Sequence, residues 1–483
     1  MDTRENISQL QQFREELYWL LPARRDALLD LLDALSGSPY AHSVVELSLS
    51  PLFRREYSSI SDAIDHVFQP SSPEKADEER WVWKKELARL IGRCLPAPRH
   101  RQFWLLGTDG VPIPRPFALT LADRTFVYQP NLVGGNKPVT IGHQYSVVTF
   151  LPEKERADDP PWVVPLHVRR VRSGEKATVI GAEQLTTLLE DEAQPFHEGL
   201  CVHVADSTYS AVDYLGRVGS HHNLVSVVRA AENRVFYRQF PTDQGNERQG
   251  HPRWYGAPFA LKDSTTWGPP DQTAETTFTT RQGRTYQVQL QGWHNLLMRG
   301  KRGLPMHRYP FTLIRAVVLD EQGRPVFKRT LWLIVLGERR DELSLVEAWQ
   351  AYGRRYDLEH YFRFGKQRLL LAAYQTPQVE HEENWLELVQ LATAQLWLAR
   401  QLAGIRLRPW ERYLPQRPIG VVSPSQVQRD WGRIIRQIGT PAQPPKRRGK
   451  SPGRAKGTRP GRRQRQPVVK KRHKTRKTAP QAA

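Results

Sequence analysis

Short apolar runs between residues 103 and 231 constrain the fold of this chain more than any other feature. They are rich in β-branched and aromatic residues, and Gly, Pro or Asp bounds each of them, which predicts buried strands. The runs are QFWLLGTD, HQYSVVTFL, WVVPLHVRRV, GLCVHVAD and NLVSVVRA. The segments AEQLTTLLEDEA and STYSAVDYLG between them have the pattern of helices. Strands mixed with helices in this way predict an α/β fold.

The segments before and after this region have other patterns of apolar and polar residues. Residues 1–98 place apolar side chains at intervals of three and four, with turn-formers between the runs, which predicts a helical N-terminal domain. Residues 232–340 contain strand pairs around RQGR and DEQGRP turns, which predicts a β-rich insertion. Two helical segments follow the insertion. We therefore divide the chain into six segments, with the bounds 1–98, 99–231, 232–340, 341–405, 406–440 and 441–483.

The positive charge of the chain is concentrated at its C-terminal end. The formal net charge is +21, and residues 441–483 hold 16 of the 71 Lys and Arg residues and none of the 50 acidic residues. A segment so rich in Pro, Gly and charge buries too little apolar surface to fold alone, which predicts a disordered basic tail. A polyanion is its natural partner. The alternative is a solubilising tail with no specific role.

Several classes of protein are excluded by composition. No run of about 18 apolar residues occurs, and the N-terminus MDTRENISQLQQF is too polar for a signal peptide, so we expect a soluble cytoplasmic protein with no membrane segment. Cys94 and Cys201 are too far apart in sequence for a CxxC metal site and too few for a disulfide framework. The sequence has no GxxxxGK[ST] phosphate loop and no internal repeat.

Three carboxylates are candidates for a metal site. Asp109 follows the apolar run FWLL, Asp206 follows CVHVA, and Glu359 lies on the helix after the β-rich insertion. Functional groups gather at the carboxyl ends of strands in open α/β sheets, so the three could meet in one cleft. Three oxygen ligands without a Cys or His cluster match Mg²⁺ or Mn²⁺. The alternative is that each Asp caps a turn and that Glu359 is a solvated charge.

The stretch AYGRRYDLEHYFRFGKQRLLL places Glu359 among aromatic and basic side chains. At 100° per residue, a single helix would bring Tyr352, Arg355, Glu359 and Lys366 onto a stripe about 60° wide. This is the arrangement needed if Glu359 holds a cation while its neighbours bind phosphates.

The spacing Y-x2-R-x3-E-x6-K formed by these four residues resembles the signature of bacterial insertion-sequence transposases. These are cut-and-paste DDE enzymes with an RNase H-like core. The blocks LLGTDGVPIPRP, NKPVTIGHQYSVV, VADSTYS and PRWYGAPFAL are also similar to this group, and the likeness extends over roughly residues 100 to 400. The resemblance implies a mixed-sheet RNase H-like core formed by 99–231 and 341–405. It also implies that the N-terminal domain binds DNA.

The resemblance assigns roles to the candidate residues. It implies that Asp109, Asp206 and Glu359 are the catalytic, metal-binding triad, and that Tyr352, Arg355 and Lys366 contact the DNA of the transposon end. The implied cofactor is a pair of Mg²⁺ ions, with Mn²⁺ as a substitute.

The resemblance also implies the partners of the protein. These are the terminal inverted repeats of the transposon and the target DNA, bound by a homodimer in the bacterial cytoplasm and, when on DNA, at the nucleoid. Two alternatives remain open. One is a catalytically inactive, transposase-derived DNA-binding protein, and the other is a nuclease with an RNase H fold.

Overall fold

Helices at both ends of the chain enclose a large central sheet. The computed structural model describes residues 3–129, 138–156, 159–241, 253–280, 283–406, 410, 421–446, 455, 457–459 and 461–470. The helices are α1 (Thr3–Leu20), α2 (Arg25–Gly37), α3 (Ser58–Asp65), α4 (Ala76–Gly92), α5 (Ala177–Leu189), α6 (Val212–Val218), α7 (Leu345–Gly353), α8 (Tyr356–Arg368), α9 (Val379–Leu398) and α10 (Pro424–Ile438). The strands are β1 (Trp104–Pro114), β2 (Thr125–Tyr128), β3 (Val139–Phe150), β4 (Val164–Val171), β5 (Cys201–Ala205), β6 (Leu224–Arg229), β7 (Val235–Gln239), β8 (Tyr255–Ala260), β9 (Gln272–Thr279), β10 (Thr285–Leu296), β11 (Phe311–Leu319) and β12 (Leu331–Leu336).

The central sheet is mixed, as the sequence predicts for an RNase H-like core. Its strand order is β2-β3-β1-β5-β6-β12-β11-β10-β9, and β4 pairs with β3. Strands β1 and β3 are antiparallel, whereas β1, β5 and β6 run parallel. The parallel strands β5 and β6 are almost wholly apolar, which is typical of strands covered on both faces. The predicted α/β class is therefore confirmed.

The β-rich segment after residue 231 continues the same sheet. Strand β12 pairs with β6 in antiparallel register, with Ile334 opposite Val228. Strands β11, β10 and β9 then follow as an antiparallel meander, and β7 and β8 form a separate hairpin. Residues 281–282 of the expected RQGR turn lie outside the described residues. The segment thus widens the core sheet and returns the chain to it just before α7.

The N-terminal helices pack against the helices that follow the sheet. Nearly every residue of α9 is buried, and it contacts α1, α2 and α3 as well as β4. A buried ion pair joins Arg14 of α1 to Asp33 of α2 at 2.6 Å, and Arg14 also donates to Gln395 of α9 at 2.9 Å. These helices therefore share one hydrophobic core with α9, while the domain boundary near residue 98 stays a prediction.

One sequence-based expectation is wrong, namely a single helix through residues 352–366. Helix α7 ends at Gly353 and α8 begins at Tyr356, with Arg354 and Arg355 forming a turn between them. Gly is a poor helix former. In addition, the Arg354 guanidinium donates to the carbonyl of Pro152 at 2.7 Å, which ties the turn to the end of β3. The four residues therefore do not share one helical stripe.

The basic tail is described in part. Residues 461–470 are mostly exposed and contain no helix. Within them, the amide of Gln466 donates to the carbonyl of Leu119 at 2.8 Å, and the amide of Val469 donates to the carbonyl of Arg124 at 2.7 Å. Val469 forms a parallel bridge with Thr125 of β2. This part of the tail thus lies along the free edge of the sheet, and much of the rest falls outside the described residues.

A test for membrane spans gives a negative result. None of the helices in the described part of the chain is long and apolar enough to cross a membrane.

Candidate active site

Asp109 lies in the middle of the core sheet. The sequence places it at the end of a strand, but β1 continues five residues further because β3 pairs with it from Leu106 to Pro114, with Asp109 opposite Val147. The parallel partner β5, however, pairs with β1 only as far as Thr108, which is opposite Ala205. The Asp109 side chain is 21% exposed, and its Oδ1 accepts a hydrogen bond from the amide of Gly110 at 2.7 Å.

Asp206 follows β5 directly, as the sequence predicts. Because Ala205 is opposite Thr108 in the parallel pair, Asp206 lies beside Asp109 at the next position along the two strands. Asp206 also caps the short helical turn Ser207–Ser210, and its Oδ1 accepts from the amide of Thr208 at 2.9 Å. The Asp206 side chain therefore caps this turn, as the alternative interpretation expects, and also lies beside Asp109.

Glu359 lies in the first turn of α8 with its side chain 49% exposed. The preceding residue, Leu358, is buried against β1 at Gly107. A Cβ at Gly107 would lie 2.9 Å from Leu358 Cδ1, which is closer than carbon atoms pack, so this glycine permits the close approach of helix to strand. The approach places Glu359 near Asp109, which lies two residues further along β1.

Arg355 joins the strand to the helix. Its Nη1 lies 3.4 Å from Asp109 Oδ2, and its Nη2 donates to Glu359 Oε1 at 2.9 Å. The side chain is 12% exposed. Burial alone would disfavour its charge, but Tyr352, Asp109 and Glu359 raise the pKa of Arg355 above its ordinary value. The guanidinium therefore acts as a counterion between two of the three candidate carboxylates.

The environment of Asp109 disfavours its ionised form. Burial is the largest cause and the charge of Asp206 the second, and together they raise the pKa of Asp109 to about 6. The hydrogen bond from Gly110 and the charge of Arg355 oppose the shift only in part. A carboxylate with a perturbed pKa beside a second carboxylate is typical of a functional site.

The donor set suits a divalent cation, but the described conformation does not form a closed metal site. Within the part of the chain that the structure describes, no three His, Cys, Asp or Glu side chains are grouped closely enough to hold an ion. The Arg355 guanidinium lies between Asp109 and Glu359 and supplies positive charge there. Carboxylate oxygens that repel one another are suited to Mg²⁺ or Mn²⁺. Arg355 would have to move aside for either ion to bind all three carboxylates.

A buried polar chain behind the carboxylates was not anticipated from the sequence. His203 of β5 shares a hydrogen bond with Thr108 Oγ1 at 2.8 Å, and its other ring nitrogen is 2.7 Å from the hydroxyl of Tyr214 on α6. Burial lowers the pKa of His203 to about 3, so the imidazole is neutral. This hydrogen-bonded chain links β1 and β5 at Thr108 and His203, just before Asp109 and Asp206. A single His within an apolar strand carries no sequence signal for such a role.

The other predicted DNA contacts have different surroundings. Tyr352 ends up on α7 and is buried, with its side chain beside Arg355. Lys366 is exposed on α8, seven residues after Glu359, and therefore on the same face about 10 Å further along the axis. The structure thus brings Tyr352 and Arg355 to the carboxylates and leaves Lys366 at the surface beside them.

Comparison with known proteins identifies the class. Residues 16–294, more than half of the chain, match the family described as DDE superfamily endonuclease. The chain therefore belongs to this family, and the predicted resemblance to DDE-type transposases is confirmed at that level. Membership implies a metal-dependent nuclease or transposase that acts on DNA. The match includes Asp109 and Asp206 and ends before Glu359, so the Y-x2-R-x3-E-x6-K signature stays a prediction. No curated protein matches the chain.

Proposed function

We propose that this protein is a DDE transposase that cleaves DNA at the terminal inverted repeats of a transposon and joins the ends to target DNA. One observation carries the proposal. Asp109 and Asp206 lie side by side at adjacent parallel strands, and Arg355 links Asp109 to Glu359 on the helix packed above them. In the proposed reaction Asp109, Asp206 and Glu359 are the catalytic, metal-binding residues.

The proposed chemistry is phosphoryl transfer without a covalent enzyme intermediate. A pair of Mg²⁺ ions, or Mn²⁺ in their place, would activate the attacking oxygen and stabilise the leaving 3′ oxygen. The three carboxylates would hold the cations, and the buried hydrogen-bonded chain through His203 links the two strands just before Asp109 and Asp206. Water is the first nucleophile, and the freed 3′-hydroxyl is the second.

Arg355 and Lys366 have separate roles in this proposal. Arg355 balances the charge of Asp109 and Glu359, and with cations bound there its guanidinium would be available to a DNA phosphate. Tyr352 is buried beside Arg355 and supports the Arg355 side chain. Lys366 is exposed and contacts the phosphate backbone of the transposon end.

An aromatic residue of the β-rich segment is a candidate for stacking a DNA base. Of its four Trp residues, Trp293 and Trp332 are buried, and Trp267 packs against both. Trp254 is 45% exposed and stacks on His307 with ring centroids 4.3 Å apart. Trp254 therefore has a free aromatic face suited to an unpaired base.

Substitution at Glu359 and Lys366 tests the proposal. Glu359→Gln keeps the shape of the side chain but removes the charge that binds metal, so the variant should bind end DNA and fail to cleave it. Lys366→Ala is the matched variant on the same face of α8. It should bind end DNA more weakly, with a salt slope lower by about 1, and still cleave at high protein concentration.

Gel shift and cleavage of one labelled inverted-repeat end, in Mg²⁺ and then in Mn²⁺, measure both properties. Asp109→Asn and Asp206→Asn should behave like Glu359→Gln. Normal cleavage by Glu359→Gln would overturn the proposed triad and leave Glu359 as a solvated charge.

A further inference from the structure

A cavity lies next to the α7–α8 turn, apart from the candidate carboxylates. Its volume is about 460 Å³, within the range of about 300–1,000 Å³ that is usual for small-ligand pockets. Its walls come from the segment before β1, from residues after β3, from the α7–α8 turn and from the end of α9. Arg354 lines this cavity, whereas the next residue, Arg355, contacts Asp109. The cavity and the carboxylates therefore lie on either side of one turn.

The walls of the cavity carry an excess of positive charge. Three acidic residues line it, Glu153, Glu155 and Asp159, against five basic ones, Arg99, Arg101, Lys154, Arg354 and Arg400. The acids are partly engaged already, since Glu153 accepts three backbone amides.

Two guanidinium groups of the cavity donate to uncharged backbone oxygens, and one of them, Arg400, also lies over the Trp397 ring at 4.2 Å. Arg101 donates to the carbonyl of Leu151 at 2.7 Å, and Arg400 donates to that of Trp397 at 2.8 Å. Arg354 shares Asp357 with Lys154. Among the described residues no carboxylate lies within ion-pair distance of Arg400, and the nearest to Arg101 is Glu153 at 3.7 Å. Burial, together with the charge of Arg354, lowers the pKa of Arg101 to about 9.

The cavity also contains unused hydrogen-bond donors. Trp397 is 1% exposed, and its indole Nε1–H has no hydrogen-bond partner in the described structure. Arg101 Nε is likewise buried without a hydrogen-bond acceptor. Buried donors without an acceptor are costly, and crowded cations repel one another. An anion with several acceptor oxygens would relieve both costs.

We propose that this cavity binds a phosphate group of a nucleotide, held by Arg101, Arg354 and Arg400 with Trp397 beside it. The inference rests on the proposed function, because a DNA-cleaving enzyme binds nucleotide phosphates, and the turn that places Arg354 in the cavity also places Arg355 at the carboxylates. The phosphate belongs either to a DNA strand or to a free nucleotide. The chemistry of recognition is the same in both, namely charge-assisted hydrogen bonds from guanidinium groups to phosphate oxygens.

Binding of two small probes to the full chain in EDTA tests the proposal. One probe is a deoxynucleoside 5′-monophosphate, and the other is a short single-stranded oligonucleotide with a 5′-hydroxyl, whose phosphates are all diesters. Arg400→Gln should weaken binding of at least one probe about tenfold, the loss of one charged hydrogen bond. Arg436→Gln, on the exposed face of α10, removes the same charge elsewhere and should change nothing.

The outcomes separate this inference from the proposed function. A preference for the oligonucleotide assigns the site to a DNA strand, and a preference for the monophosphate assigns it to a free nucleotide. Equal binding of both probes by Arg400→Gln and the unsubstituted protein would overturn the inference. If Arg400→Gln does not fold, Arg101→Gln, which removes another of the three proposed phosphate ligands, replaces it. Arg400→Gln should still cleave DNA at saturating concentration in Mg²⁺. Failure of the proposed triad would appear instead as normal cleavage by Glu359→Gln, so the two proposals fail separately.

Discussion

At the scale of single residues, the site is a balance between three carboxylates and one guanidinium. Asp109 is placed beside Asp206 by strand pairing, and the resulting repulsion is relieved in part by Arg355. Such an arrangement is unfavourable to the folded protein in the absence of metal. Sites that bind cations commonly have this property, because the ligands must be ionised and close together before the ion arrives.

Asp109→Asn should therefore stabilise the metal-free protein at neutral pH. The folded-state pKa of about 6 lies above the ordinary value of 3.8, so the unsubstituted protein loses stability as pH rises from about 4 to 6. Above pH 6 the variant should be more stable by about 3 kcal/mol, and near pH 4 the two should be nearly equal. Urea unfolding in EDTA across this pH range measures the difference. A constant difference at all pH values would contradict the assignment of the shift to Asp109.

Addition of Mg²⁺ provides the control for that experiment. A ligand that binds the folded protein stabilises it in proportion to the logarithm of its concentration. Mg²⁺ should raise the melting temperature of the unsubstituted protein and have a smaller effect on Asp109→Asn. Equal stabilisation of both would place the bound ion elsewhere.

At the scale of elements, the packing of α8 on β1 determines where Glu359 lies. Gly107 is the closest point, since a side chain there would meet Leu358, Leu151 and Thr149 within 3.4 Å. Gly107→Ala should thus cost about 1–3 kcal/mol of stability and reduce cleavage by displacing α8. Thermal unfolding and end cleavage measure the two effects.

Gly353→Ala is the matched control for this contact. Gly353 ends α7, and no heavy atom lies within 4 Å of a Cβ built there. Replacement by Ala should leave stability unchanged or raise it by up to about 1 kcal/mol, because Ala is the better helix former. If both variants lost stability equally, the close contact at Gly107 would not be the cause.

At the scale of the whole molecule, Gln466 and Val469 of the basic tail bind the edge of the sheet, and residues 471–483 add further positive charge. Deletion of residues 471–483 removes five of the 16 bases but keeps the hydrogen bonds of Gln466 and Val469 to the β2 edge. Affinity should fall about equally for all duplex DNA, with a flatter salt dependence, because phosphate contacts carry no sequence information.

Deletion of residues 441–483 should have a larger effect of the same kind. It removes all 16 bases together with the contacts to Leu119 and Arg124. Fluorescence anisotropy with end DNA and with unrelated duplex, at several salt concentrations, measures both deletions. A selective loss of binding to end DNA would show that the tail reads sequence.

The proposed reaction also predicts a dimer on two paired ends, because both ends must be cut and joined together. Light scattering of the protein with end DNA should give a complex of two chains and two ends. A complex of one chain and one end that completes excision would contradict the prediction.

The sequence alone determined the local elements and the class of protein. Apolar runs and helical periodicity indicated the strands β1, β3, β4, β5 and β6 and the helices α1, α2 and α4, because local patterns reflect which face each element buries. Strand β2 was not indicated by them. Asp109, Asp206 and Glu359 were selected by their positions relative to those elements, and the family match spans the first two without testing their roles. The roles of all three residues stay predictions.

Tertiary structure decided how the elements are joined. The continuation of the sheet from β6 to β12 depends on pairing between residues about 100 positions apart, such as Val228 and Ile334, which no local pattern encodes. The break between α7 and α8 depends on the contact of Arg354 with Pro152, and the counterion role of Arg355 depends on that break. These contacts join distant segments, so the local pattern of residues 352–366 does not by itself show where the helix breaks.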